Sequence, residues 1–160
     1  MKNEYKQKVK LVKNMLIFDP NLTEEENDKH FDIALKTTDE LLNLQDKKIL
    51  EDLLELFTNE NEEYGGFCEH LESEIGNLYS LNQILEVLYV KFVYLLENDI
   101  SRALHFTSWF LYNKMFDKFR IMFSTTKPSK AEEFVNALYS WLGTDFPREI
   151  AILKKDIENW

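Results

Sequence analysis

The chain has 160 residues, of which 44% are apolar and 14% aromatic, and its formal net charge is −10. A chain of that length and apolar content can bury a core without staples, which excludes a disordered polypeptide. The acidic balance argues against direct binding to nucleic acid, which needs a basic face.

Only four glycines and three prolines are present, too few for the turns of a sheet protein, so long helices are favoured. The one cysteine, Cys68, has no partner for an internal disulfide and suits a reducing compartment. Met1 to Lys10 is polar and lacks the apolar run of an export signal, and no stretch is apolar enough to span a bilayer. A cytoplasmic protein with no membrane association is expected.

A first helix is predicted from Glu4 to Phe18, with Val9, Val12, Leu16 and Ile17 inward and Asp19-Pro20-Asn21 as its stop. Thr23 and Glu26 have the spacing of a capping box, so a second helix starts near Glu24 and buries Phe31, Leu35, Leu41, Leu42 and Leu44. Asp46 caps a third helix carrying Ile49, Leu50, Leu53, Leu54, Leu56 and Phe57. Thr58 to Gly66 is polar, holds the glycine pair Gly65-Gly66, and reads as an exposed connection. A short helix then covers Phe67 to Ile75 and ends at Gly76.

Ser80 and Gln83 open the greasiest part of the chain, Leu81 to Phe123, read as two or three packed helices. Leu81, Ile84, Leu85, Leu88, Phe92, Leu95 and Leu96 recur at steps of three and four, the period of one helix face. Val87, Val90, Val93 and Tyr94 make the other side apolar too, which predicts a helix buried by its neighbours. After a turn at Asn98-Asp99 come Phe106, Trp109, Phe110, Phe116, Phe119 and Phe123 as candidate core. Ser129 and Glu132 suit a capping box for a helix to Leu142, with Phe134, Ala137, Leu138 and Trp141 inward and Gly143 as its end. Asp145 and Pro147 suit the cap and first turn of a last helix bearing Ile150, Leu153 and Ile157. The expectation is an all-α chain of seven to nine helices forming a single domain over residues 1–160. Its architecture is an irregular helical bundle or a short HEAT-like helical stack.

No catalytic or cofactor motif is legible. Metal sites in helical bundles use Glu-x-x-His, but the residues three before His30, His70 and His105 are Asn27, Phe67 and Arg102. His70 and Glu74 share a helix face, and two ligands do not make a site. Cys68 and His70, two apart on a helix, point in different directions. Phosphate-binding loops, zinc-protease motifs, nucleophile elbows and calcium loops are absent from the sequence. The expectation is no enzyme, no metal and no cofactor.

Charge is more informative. From Glu51 to Gly76 the chain carries nine carboxylates and no lysine or arginine. Their mutual repulsion opposes folding, so the segment is a candidate contact for a basic protein. Glu60, Glu62, Glu63, Glu69, Glu72 and Glu74 are the candidate partner-binding carboxylates, with Tyr64 and Phe67 as apolar anchors beside them.

From Leu53 to Leu142 the features follow a recognisable order. A short helix carries His70-Leu71-Glu72, a long leucine-rich helix follows, then a helix ending at Leu111-Tyr112-Asn113, then an aromatic helix. This order resembles the immunity protein 30 family, small cytoplasmic proteins found beside polymorphic toxins of bacterial competition systems. Where that family tends to have Trp-Ala this chain has Ala103-Leu104, with Trp109 later, and its His and Glu stand one residue closer together. The resemblance implies an intracellular inhibitor that occludes a cognate toxin domain stoichiometrically, meeting a basic toxin surface with its acidic one. The alternative function is a helical adaptor or scaffold that binds a peptide or protein partner in a groove between helices.

Overall fold

The computed structural model describes residues 2–160. Among these residues the chain is all helical, with ten helices and no strand. It divides into two compact units that meet in sequence between Ser80 and Leu81.

The first unit holds α1 (Lys2–Met15), α2 (Glu24–Leu42), α3 (Lys47–Leu54), α4 (Asn59–Glu62) and α5 (Phe67–Leu78). Helix α2 is its hub and packs on α1, α3 and α5. The Thr23–Glu26 capping box is formed: the Glu26 backbone N–H donates to Thr23 Oγ1 at 3.2 Å, and Glu26 Oε2 accepts the Thr23 backbone N–H at 2.8 Å. The Thr23 backbone N–H and hydroxyl both donate to the Glu26 carboxylate, which favours its ionised form and holds the Glu26 pKa below the usual range. Buried Asn27 pins the preceding loop, donating to the carbonyls of Asp19 and Thr23 and accepting from the Asp19 N–H. Asp46 caps α3 as its sequence position predicts, accepting from the N–H groups of Lys48 and Ile49.

Three expectations for this unit need correction. Helix α1 stops at Met15, so Ile17 lies beyond it and is 65% exposed. Leu44 follows the end of α2 and is 62% exposed. Helix α5 runs through Gly76 to Leu78, because Tyr79 continues the ladder by donating to the Ile75 carbonyl. Within the connection expected from Thr58 to Gly66, α4 forms one helical turn. Thr58 Oγ1 accepts the Asn61 N–H there, and the Asn61 side-chain amide donates to the Leu56 carbonyl at 2.7 Å. This short turn takes the helix count above the expected range.

The second unit holds α6 (Leu81–Asn98), α7 (Ile100–Tyr112), α8 (Phe116–Thr126), α9 (Ala131–Leu142) and α10 (Pro147–Glu158). Helix α6 packs on α7 and α8, α9 packs on α10, and contacts of α7 with α9 and α8 with α10 close the group. Its centre is a phenylalanine cluster. Phe92 meets Phe119, Phe123 and Phe134 edge to face, with ring centroids 5.7, 6.1 and 5.3 Å apart. That geometry sets the positive ring edge against the negative ring face. Phe110 stacks on Phe119 at 6.0 Å. Leu88, Leu95 and Phe106 are fully buried as expected, whereas Phe116, the first residue of α8, is only half-buried. Val90 and Tyr89 of α6 are exposed, so that helix has a solvent face after all.

The break between α7 and α8 is a Schellman turn. Lys114 adopts φ +59°, its N–H bonds the Leu111 carbonyl, and the Met115 N–H bonds the Phe110 carbonyl at 2.8 Å. Two expected caps are not used. Helix α9 follows a turn closed by Ala131 N–H on the Pro128 carbonyl, so Ser129 caps nothing. Pro147 is the first residue of α10, but Asp145 lies before its N-cap, Phe146, and binds Tyr112 instead. Trp141, expected inward, is 49% exposed and lies beside the His105 ring at 5.3 Å. Gly143 ends α9 without a left-handed φ. It is glycine because a Cβ there would overlap the Tyr139 carbonyl oxygen.

Candidate functional site

Charge separates with the two units. Residues 1–80 carry 19 acidic and 9 basic side chains, whereas residues 81–160 carry ten of each. The whole net charge therefore belongs to the first unit. Five of its lysines lie on α1, where Lys8 pairs with Glu40 and Lys13 with Glu55, both at 3.3 Å. Between Lys48 and Lys91 the chain has no lysine or arginine at all.

Glu60 and Glu62 lie on α4, Glu60 exposed and Glu62 half-buried, and exposed Glu63 is the α4 C-cap. On α5, Glu69 is at the centre of the exposed face, and Glu72 and Glu74 sit on opposite flanks and are half-buried. The Asn77 side-chain amide donates to Glu74 Oε1 at 3.4 Å. The exposed carboxylates of the segment are thus Glu60, Glu63 and Glu69.

The two aromatic anchors separate. Phe67 is fully buried as the first residue of α5, so it supports the core and offers a partner no surface. Tyr64 is half-buried and packs on Phe31 of α2, with ring centroids 5.2 Å apart. Burial, and then the charge of Asp28, push the Tyr64 phenol pKa up, so the ring meets its surroundings as a neutral group.

The turn between α4 and α5 depends on its glycines. Gly65 and Gly66 have φ +56° and +81°, a region that residues with a Cβ enter at a cost. A Cβ at Gly65 would also lie 3.3 Å from the tip of the Phe31 ring. Helix α5 is further tied to α2 by His70, whose Nε2 lies 2.7 Å from Asp39 Oδ1. The local pairing of His70 with Glu74 is therefore not the contact made, and Cys68 is buried while His70 faces Asp39.

The residues of α2 that complete this surface, Asp28, Phe31 and Asp39, lie more than thirty positions before the residues they act on, Tyr64 and His70. The helix period of α2 placed Phe31 on its inward face, but no local signal in the sequence pairs it with Tyr64.

In the second unit, a groove of about 510 Å³ on α8 is lined by Asp117, Arg120, Ile121, Ser124 and Thr125. Arg120 already makes two hydrogen bonds to the Asp156 carboxylate, at 2.6 and 2.7 Å. A guanidinium held in that fork is a structural clamp between α8 and α10. Among the described residues, no helix is long and apolar enough to cross a membrane. No protein-family model, curated protein or solved structure matches the chain.

Proposed function

We propose that this protein is a stoichiometric inhibitor of the immunity type, which binds a basic toxin domain through the acidic surface of its first unit and has no catalysis of its own. The observation that carries the reading is the segregation of charge: a net −10 in one unit, zero in the other, and Glu60, Glu63 and Glu69 exposed on consecutive elements. The order of sequence features that resembles the immunity protein 30 family supports the same reading. Long-range attraction of this kind accelerates association and is screened by salt.

The test begins with the cognate toxin, identified by co-purification and by loss of its activity at a one-to-one ratio. The triple variant Glu60→Lys, Glu63→Lys, Glu69→Lys should slow association at least about tenfold at low salt and flatten the salt dependence. Its melting temperature should hardly change, because exposed charges contribute little to folding. Unchanged association rate and salt dependence would refute the acidic surface as the docking site.

A further inference from the structure

The Phe31–Tyr64 contact is built to leave an aromatic pair at the surface. The rings are tilted by 36° and both are half-buried, so part of each remains open to solvent. Phe31 passes Gly65 so closely that a Cβ there would lie 3.3 Å from the tip of its ring. Negative charge borders the pair from two elements. Asp28 stands one turn before Phe31 on α2 and acts on the Tyr64 phenol, and exposed Glu63 directly precedes Tyr64. Lys29, beside Asp28 in sequence, is already engaged by Glu25 at 2.8 Å. Neither α4 nor α5 carries a lysine or arginine.

We infer that the Phe31–Tyr64 pair, bordered by Asp28 and Glu63, receives an arginine side chain from the basic partner. A guanidinium is planar and weakly hydrated. It can lie on a ring face while its edge N–H groups reach carboxylates. A lysine ammonium is a compact, strongly hydrated charge and gains less from a partly dry aromatic surface. The inference rests on the acidic-surface reading and adds to it the side chain that the partner must present.

The test uses the full chain with two probes of equal charge, an oligo-arginine and an oligo-lysine peptide of the same length, titrated at low salt. The wild-type protein should bind the arginine peptide roughly two- to fivefold more tightly. In Tyr64→Leu that ratio should fall to about one while both peptides still bind. Asp28→Asn should weaken both. Circular dichroism and melting of each variant check that the fold survives, and the wild-type ratio depends on no variant. Equal affinity for the two peptides, or a ratio that persists in Tyr64→Leu, would overturn the arginine site and leave the acidic-surface reading standing. Failure of both peptides to bind the wild-type chain would overturn both readings.

Discussion

His70 of α5 and Asp39 of α2 meet at 2.7 Å, 31 residues apart in sequence. The ionised carboxylate can only accept, so the imidazole Nε2 carries the proton and donates it. The bond is half-exposed and ties the helix bearing Glu69 to the hub of the first unit. Asp39→Ala should therefore destabilise the protein modestly, by no more than about 1 kcal/mol. A double-mutant cycle with His70→Ala, read by urea unfolding, should show a positive coupling between the two positions. Strict additivity would mean that the pair contributes nothing to folding.

The phenylalanine cluster gives a graded expectation. Phe119 is fully buried and touches the rings of Phe92, Phe110, Phe123 and Phe134, so Phe119→Ala leaves a cavity lined on several sides. The cost should be about 3–5 kcal/mol, and Leu88→Ala, at another fully buried site, should cost about 2–5 kcal/mol. Half-buried Phe116 has less to lose, and Phe116→Ala should fall below both. Equilibrium unfolding of the three variants measures the order, and a Phe116→Ala loss equal to that of Phe119→Ala would contradict it.

Tyr79 sets an alkaline limit. It is 5% exposed, its hydroxyl donates to the Leu42 carbonyl at 3.4 Å, and burial, aided by the charge of Asp46, pushes its pKa up to about 12. A pKa raised in the folded state means that the unfolded chain loses the proton first. The corresponding stability is fully present below pH 10.0, where the phenol is protonated in both states, and is lost as pH rises through about 12. Tyr64 and Tyr112 shift in the same direction. Melting temperature should therefore fall steeply across this window, and Tyr79→Phe should fall less steeply than wild type. Parallel profiles for the two proteins would show that Tyr79 ionises as freely in the folded state as in the unfolded one.

The sequence by itself determined the helices and most of the core. Apolar residues at steps of three and four on α6 faced inward because a helix has only one geometry in which to present them. The Thr23–Glu26 box and the Asp46 cap were equally legible, since both act within four residues of their own backbone. Caps failed where a distant group competed or the local backbone took another turn: Asp145 is held by the Tyr112 hydroxyl, and the Pro128–Ala131 turn bypasses Ser129. The excess of carboxylates was countable, but its exposure was not, because periodicity gives a residue's angle on its helix and not what packs there. Only the tertiary structure turned Phe67 inward, set Tyr64 on Phe31 and brought Asp39 to His70. Each of those facts depends on how α2 and α5 pack, a choice made by side chains more than thirty residues apart.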